Sequence, residues 1–186
     1  MNEEIIAKGK IFELVQIPKS DGKVFEVARR TPGVRLIIVD TDNSKVLLSK
    51  EFRHELKDWD FRLPGGKVFD TLDEFEAWRQ SGTDLVPELE KRVKIEAHEE
   101  VGIDVNSCEF FKKSTLGATV EWDLYVYIVK DWVHHEEGQK NEEGEFGEHI
   151  ENDNWFTFAE AEQMILDGKM QEELIALILL QWLKQQ

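Results

Sequence analysis

The sequence has little cysteine, little positive charge and no long apolar run. Cys108 is the single cysteine in 186 residues, so an intramolecular disulfide framework and a cysteine-rich zinc site are excluded and an ordinary buried thiol is expected. Lys and Arg number 23 against 39 for Asp and Glu, and the formal charge of −16 disfavours a nucleic acid polymer as partner. The longest apolar run, 174–180, is well short of the roughly 18 residues that cross a bilayer, so no membrane segment is predicted.

The scarcity of cysteine fits a protein of the reducing cytoplasm, and the N-terminal residues support the same expectation. Residues 1–8 carry acid where a signal peptide carries base, and no apolar run follows them, so we expect no export signal. A mass of 21.7 kDa suits one domain, and a hydrophobic content of 41% predicts a folded core. An acidic protein that handles small phosphorylated molecules needs divalent cations between its carboxylates and the substrate.

Two hairpins are predicted near the N-terminus, where β-branched and aromatic runs alternate with turn formers. The first has strands over 10–17 and 23–29 and forms a small antiparallel unit. The second has strands over 34–39 and 45–48 and lies nearer the core.

Helix signals follow in the middle of the chain. The segment Thr71-Leu72-Asp73-Glu74 has the spacing of a capping box, which predicts a short helix that ends near Gly82. Pro87 suits the first turn of a longer helix that runs to Val101.

The last part of the chain alternates strands and helices. Strands are predicted over 108–116 and 122–133, with both faces buried, and an acidic, glycine-containing stretch then leads to the aromatic segment 155–158. A helix over 159–167 and an apolar helix around 174–183 complete the chain. This order of elements predicts an α+β fold in which a mixed β-sheet lies between helices as an α/β/α sandwich.

Three glutamates crowd one face of the longer predicted helix. Glu96, Glu99 and Glu100 occupy neighbouring positions because they are three and four residues apart. Like charges at this spacing cost a few tenths of a kcal/mol per pair, so either solvent screens them or a cation neutralises them. A solvated acidic face is the simpler interpretation, whereas oxygen ligands point to Mg²⁺ or Mn²⁺.

A second motif precedes this helix. Leu63-Pro64-Gly65-Gly66-Lys67 follows a short apolar strand, and its glycines either form a tight turn or let the backbone approach a ligand closely. Together with Glu96-x-x-Glu99-Glu100-x-Gly102, this motif resembles the Nudix hydrolase signature, a glycine loop followed by a helix that ends in Arg-Glu-x-x-Glu-Glu-x-Gly. The resemblance is specific at the C-terminal half of the signature.

The flanking segments are similar to one branch of this family, the ADP-ribose pyrophosphatases. The similar segments are Gly9–Phe12, Arg29–Val34, Val46–Leu48, Phe52–Arg53, Glu148–Glu151, Trp155–Ala161 and Asp167–Lys169. The resemblance implies the Nudix fold, with residues 1–31 as an N-terminal β hairpin unit and residues 32–186 as the hydrolase domain. It also implies a homodimer, since this N-terminal unit commonly packs across a two-fold axis in that branch.

Two departures from the family pattern concern the metal helix. Ile95 stands where the signature has an arginine that orients the carboxylates. Arg92 is the expected substitute, since it lies four residues from both Glu88 and Glu96 and its guanidinium can reach both. Secondly, an insertion at about 69–86 separates the glycine loop from the helix, and it contains Trp78, which suggests a cover for the site.

The resemblance implies hydrolysis of the diphosphate linkage of a nucleoside diphosphate derivative, with ADP-ribose converted to AMP and ribose 5-phosphate as the favoured reaction. The ligands for Mg²⁺ or Mn²⁺ carried over to this sequence are Glu96, Glu99, Glu100 and the carbonyl of Gly65. Nucleotide sugars or other nucleoside diphosphate derivatives are the alternative substrates. A degenerate, non-catalytic Nudix fold that binds a nucleotide or a protein is the alternative of a different class.

In the ADP-ribose branch, a glutamate of a later loop often activates the attacking water. By this resemblance Glu148 is the expected base, with Glu145 and Glu151 as alternates, although a solvated acidic loop is the simpler interpretation of this segment. Glu99 and Glu100 are counted with Glu148 among the catalytic residues.

Substrate contacts are expected from cationic and aromatic side chains elsewhere. Arg53 or Arg30 suits a phosphate, and Trp59, Phe61 or Trp122 suits the face of a base, although most aromatics of so small a domain pack in its core. A further pair, His134-His135, points to opposite faces of a strand, so a solvated strand end is expected there rather than a metal site.

Overall fold

The computed structural model describes residues 3–136, 150–151 and 154–186. The strands in these ranges are β1 (Glu4–Lys8), β2 (Phe12–Pro18), β3 (Val24–Arg30), β4 (Gly33–Asp40), β5 (Lys45–Leu47), β6 (Ser49–Arg53), β7 (Asp58–Arg62), β8 (Ile103–Gly117), β9 (Val120–His134), β10 (Ile150–Glu151) and β11 (Trp155–Thr157). The helices are α1 (Leu72–Ser81), α2 (Val86–Glu96), α3 (Phe158–Leu166) and α4 (Glu173–Leu183), and a π-helical turn, Ala97–Val101, continues α2. No helix in the described ranges is long and apolar enough to cross a membrane.

Eight of the described strands form one mixed sheet, and β9 lies at its centre. The order is β1-β2-β3-β9-β4-β5-β11, and β8 pairs with β9 in an antiparallel hairpin. Both β3 and β4 run parallel to β9, with Ala28 opposite Val120 and Gly33 opposite Leu124. The N-terminal hairpin therefore joins the main sheet through β3. A smaller sheet has the order β10-β6-β7.

Helices cover both faces of the main sheet, as the alternation of buried residues along β4 shows. Val34, Leu36 and Ile38 belong to a core with α2, whereas Ile37 and Val39 belong to a core with α3 and α4. Because successive side chains of a strand point to opposite faces, these two cores lie on opposite sides of the sheet. The predicted α+β fold, a mixed sheet in an α/β/α sandwich, is confirmed.

The predicted capping box at the start of α1 is present. The Thr71 hydroxyl accepts a hydrogen bond from the backbone N–H of Glu74 at 3.1 Å, and the Glu74 carboxylate accepts one from the N–H of Thr71 at 3.2 Å. Helix α1 lies in the predicted insertion and docks on the N-terminal strands, where the N–H of Leu72 donates to the carbonyl of Lys10 at 2.9 Å. Lys8 also pairs with Asp73 at 2.6 Å.

The predicted long helix exists but changes its form near the end. Its first part is the α-helix α2, and its last five residues, Ala97–Val101, form the π-helical turn, which ends at Gly102 in the left-handed conformation (φ 72°). Single π turns are rare and often occur at functional sites. The turn contains Glu99 and Glu100, so its unusual geometry bears directly on the acidic cluster.

Candidate metal and catalytic site

The glycine loop is held against β4 by backbone hydrogen bonds. The N–H of Leu36 donates to the Pro64 carbonyl and the N–H of Val34 donates to the Gly66 carbonyl, both at 2.9 Å. Gly65 adopts φ +141°, and a Cβ on this residue would lie 2.3 Å from the Val34 carbonyl oxygen. Because no side chain fits there, glycine is required for this close approach of two backbones.

Gly66 makes room for the first glutamate of the predicted metal set. Glu96 is buried, and a Cβ on Gly66 would lie only 2.1 Å from its Oε1 atom. Nε of Arg92 donates to the same Oε1 atom at 2.6 Å. Burial raises the pKa of the Glu96 carboxyl above its ordinary value, and the charge of Arg92 offsets only part of this increase.

Glu100 contacts the other glycine of the loop, Gly65. The backbone N–H of Gly65 donates to its Oε2 atom at 2.8 Å. Burial, together with the negative charges of Glu96 and Glu51, holds the pKa of Glu100 well above its ordinary value. Burial therefore disfavours the charged form of this carboxylate, and a nearby cation would favour it.

Glu51 joins this acidic cluster from β6. It is buried, lies opposite Asp60 in the β6–β7 pair and affects the pKa of Glu100 through its charge. The sequence reasoning missed Glu51, because no strand was predicted over 49–53 and the burial that Glu51 shares with Ser49 on one face of β6 is visible only in the structure.

Arg35 on β4 is a second residue that the sequence reasoning missed. Its Nη1 atom donates to the carbonyl of Gly65 at 2.9 Å and to that of Val34 at 3.1 Å. The charge of Arg35 lowers the pKa of Glu96 and Glu100, although burial outweighs it at both. Its Nε atom is buried and has no hydrogen-bond partner among the described residues.

Arg92 and Arg35 flank the site although Ile95 occupies the arginine position of the signature. The expected contact of Arg92 with Glu96 is present. No bridge to Glu88 is seen among the described residues: Glu88 pairs with Lys91 at 4.0 Å, and the second ion pair of Arg92 is with Asp70 at 4.0 Å.

The donors at this site suit a hard divalent cation. Glu96, Glu99, Glu100 and the Gly65 carbonyl offer oxygen atoms alone, the ligand type that Mg²⁺ and Mn²⁺ prefer. Glu99 is partly buried and makes no hydrogen bond or ion pair with another described residue. Burial is the largest cause of the raised pKa values of Glu96 and Glu100, and a bound cation would offset it by stabilising the charged carboxylates.

Of the predicted substrate contacts, Arg53 lies beside the acidic cluster. Its guanidinium donates to Glu51 at 3.5 Å and to Glu55 at 2.9 Å. Trp59 on β7 is 36% exposed, with Lys50 Nζ 4.6 Å from the centre of its ring.

Arg30 and the remaining aromatic candidates have different surroundings. The guanidinium of Arg30 lies over the rings of Phe12 and Trp122, at 5.0 and 4.4 Å. Trp122 is buried in the core with α3 and α4, and Phe61 packs edge-on against Phe156. These two aromatic rings therefore belong to the core.

The predicted general base falls outside the part of the chain that the structure describes. Glu148 and its alternate Glu145 lie outside the described residues. The other alternate, Glu151 on β10, accepts a hydrogen bond from Lys50 at 2.9 Å.

Cys108 and His135 are the last two residues for which the sequence predicted an environment. Cys108 on β8 is partly buried, and burial raises the pKa of its thiol. His135 is not simply solvated, as expected for a strand end, because its Nδ1 atom lies 2.8 Å from the carboxylate of Asp104.

No family model matches this chain, and no curated protein matches its sequence. Among solved structures, the chain is similar to one described as an ADP compounds hydrolase, with 20% identity over 99% of this chain and 92% of the other and a TM-score of 0.67. A structure of MutT, from a study of Aliivibrio salmonicida and Vibrio cholerae, matches with 19% identity over 73% of this chain and 85% of the other, with a TM-score of 0.46. The first match and the α/β/α architecture show that the chain has the Nudix fold.

Proposed function

We propose that this protein is a metal-dependent hydrolase that cleaves the diphosphate linkage of nucleoside diphosphate derivatives, with ADP-ribose converted to AMP and ribose 5-phosphate. One observation carries the proposal: the Gly65–Gly66 turn receives the carboxylates of Glu96 and Glu100, both with raised pKa values. The choice of ADP-ribose rests on the resemblance of the flanking segments, and the name of the structural match, an ADP compounds hydrolase, agrees with it.

Glu96, Glu99, Glu100 and the Gly65 carbonyl would hold Mg²⁺ or Mn²⁺. When bound, such a cation withdraws charge from the scissile diphosphate and makes an attacking water more acidic. Without a cation, the negative charge of these carboxylates would repel the substrate. This requirement explains how an acidic protein can act on an anionic substrate.

The surrounding residues position these ligands before the substrate arrives. Nε of Arg92 orients Glu96, and the N–H of Gly65 orients Glu100. Arg35 holds the Gly65 carbonyl at 2.9 Å and so positions the loop as well. Ligands that are already held in position do not have to rearrange when the metal and the substrate bind.

The remaining roles, proton transfer and substrate binding, fall to Glu148, Arg53, Arg30 and Trp59. Glu148 takes the proton of the attacking water as general base. Arg53 and Arg30 offer charge-assisted hydrogen bonds to the diphosphate, and Trp59 stacks on the base. The position of Arg53 beside Glu51 supports its role in particular.

We further propose that the protein is a homodimer formed through residues 1–31. Size-exclusion chromatography with light scattering at micromolar concentration tests this assignment. A mass near 21.7 kDa, the mass of one chain, would contradict it.

The reaction is tested by mass spectrometry of the products formed from ADP-ribose with Mg²⁺, beside an EDTA control and a mixture of nucleotide sugars. We expect AMP and ribose 5-phosphate from ADP-ribose only when Mg²⁺ is present. Cleavage of a nucleotide sugar alone would retain the chemistry and replace the substrate. Absence of cleavage in every mixture would overturn the enzyme assignment in favour of a non-catalytic nucleotide or protein binder.

A further inference from the structure

Three side chains converge at the end of the metal helix, outside the acidic cluster. They are His98 in the π-helical turn, Asp104 near the start of β8 and His135 directly after β9. Nδ1 of His98 lies 3.2 Å from one carboxylate oxygen of Asp104, and Nδ1 of His135 lies 2.8 Å from the other. The two imidazole rings meet edge to face, with centres 4.2 Å apart.

The backbone brings these three residues together independently of their side chains. In the β8–β9 pair, Asp104 lies opposite Val133, and the N–H of His135 donates to the Gly102 carbonyl at 2.9 Å. Gly102 ends the turn that carries His98. The group therefore connects the end of the helix to both long strands of the sheet.

We propose that His98, Asp104 and His135 form a second metal site, which takes a borderline transition-metal cation, Zn²⁺ in the first place. Two imidazole nitrogens and one carboxylate oxygen are ligands that suit Zn²⁺, whereas Mg²⁺ prefers oxygen ligands alone. The site is therefore chemically distinct from the glutamate cluster and does not depend on the proposed hydrolase activity.

The geometry is close to what zinc requires. One ligand atom from each residue can be chosen so that all three lie within 4.8 Å of one another. Tetrahedral zinc, with ligand distances of about 2.0–2.2 Å, separates its ligand atoms by about 3.3–3.6 Å. The observed separations of 3.2 and 2.8 Å run to the two different oxygens of Asp104, so a single ion requires the Asp104 carboxylate and the two rings to adjust within that 4.8 Å spread.

The site is also open to solvent. The side chains of His98, Asp104 and His135 are 19, 50 and 26% exposed, so an ion can enter without opening the core. Three protein ligands leave a fourth position for water. A bound cation would join the turn containing Glu99 and Glu100 to the sheet and so would stabilise the folded protein.

Titration calorimetry with ZnCl₂ tests the site in the full chain, after removal of metals and in excess Mg²⁺ to occupy the glutamate cluster. We expect one Zn²⁺ per chain for the wild type. His135→Gln and Asp104→Asn should each weaken binding by more than about tenfold, since loss of outer-shell partners alone costs 10–100-fold in metal affinity. His134→Gln is the matched control and should bind like the wild type, because its ring contacts Trp132 instead.

A second measurement reports on the ligands themselves. Co²⁺ in place of Zn²⁺ should give visible absorption bands in the wild type and His134→Gln that are lost in His135→Gln and Asp104→Asn. Circular dichroism checks that each variant is folded, and the use of two variants outside the helix protects the test against one misfolded protein. Equal Zn²⁺ affinity in all four proteins, or full displacement of Zn²⁺ by Mg²⁺, would overturn the proposal and leave a hydrogen-bonded His–Asp–His group.

Discussion

Two of the carboxylate clusters in the described part of the molecule differ in the cations that contact them. In the N-terminal sheet, the buried guanidinium of Arg29 donates to Glu3 at 2.9 Å, to Glu13 at 3.2 Å and to Glu121 at 3.0 Å. Burial alone would lower the pKa of Arg29, but the hydrogen bonds and charges of Glu3 and Glu121 outweigh it and raise the pKa. In this cluster the single guanidinium of Arg29 therefore contacts three carboxylates.

At the end of α2 the carboxylates do not share one guanidinium. Arg92 contacts Glu96, but Glu100 is held by a backbone N–H and lies near the charge of Glu51. Burial dominates and raises the pKa of Glu96 and of Glu100. In the first cluster one buried guanidinium bonds to all three carboxylates, whereas in the second Glu100 is held by a backbone N–H, and a bound cation would offset the burial that opposes its charge. We therefore expect substitutions at the first to affect mainly unfolding, and at the second mainly activity.

The largest effect is expected from Glu100→Gln. The amide oxygen can still accept from the N–H of Gly65, so the shape is preserved while a charged ligand is lost. Turnover of ADP-ribose with Mg²⁺ should fall more than about 100-fold, because even outer-shell changes at metal sites cost 10–100-fold. Thermal unfolding in EDTA should show a protein at least as stable as the wild type, since the substitution removes a repelled charge.

Glu90→Gln is the matched control, because Glu90 is an exposed glutamate on the same helix. Its turnover and unfolding temperature should equal those of the wild type. Unchanged turnover in Glu100→Gln would move the catalytic site elsewhere and remove the contrast between the two clusters.

The next largest effect is a loss of stability from Arg29→Gln. Breaking a buried ion pair by removing one partner costs about 3–5 kcal/mol, because the remaining charge is left uncompensated. Glu13, with a side chain only 9% exposed, is that charge here. Urea unfolding measures the loss, and turnover by the folded fraction should remain near that of the wild type.

A second substitution separates charge from packing at Arg29. The double variant Arg29→Gln/Glu13→Gln should recover part of the lost stability, because it removes the buried charge as well as its partner. Equal stability of the single and double variants would show that the guanidinium acts through packing and not through charge.

A smaller effect is expected from Arg92→Gln. It removes the donor to Glu96 at 2.6 Å but leaves every proposed ligand in place. Turnover should fall about 10–100-fold, as for other residues that orient metal ligands. Titration with Mg²⁺ should show that a higher concentration restores part of the rate. Lys91→Gln, at the exposed neighbouring position, should leave the rate unchanged, and an equal loss in both variants would refute the assigned role of Arg92.

Local sequence signals predicted the parts of the fold that depend on neighbouring residues. Thr71 and Glu74 are three residues apart, and their capping box starts α1 as expected. By contrast, β1 was missed because its side chains are all exposed and its strand form depends on pairing with β2. The π-helical turn was also missed, because helical periodicity alone does not distinguish it from an α-helix.

The same difference between local and long-range contacts applies to the candidate site. The spacing of Glu96, Glu99 and Glu100 was visible along one helix, whereas Arg35 reaches Gly65 across thirty positions of the chain. Contacts of this kind depend on strand order and register, which the sequence does not state directly. His135 was read as a solvated strand end for the same reason, since its partner Asp104 lies 31 positions away.

The smallest effect should come from Glu121→Gln, which tests how evenly the Arg29 cluster shares its charge. The side chain of Glu121 is 53% exposed, and exposed ion pairs contribute about 0–1 kcal/mol because water and salt screen them. The loss of unfolding free energy in urea should therefore lie below about 1 kcal/mol. It should also be smaller than the loss in Glu13→Gln, since Glu13 is buried and interacts with Arg29 in a less screened environment. A loss at Glu121 as large as that at Glu13 would mean that the three carboxylates act as one network, in which exposure no longer predicts the contribution of each member.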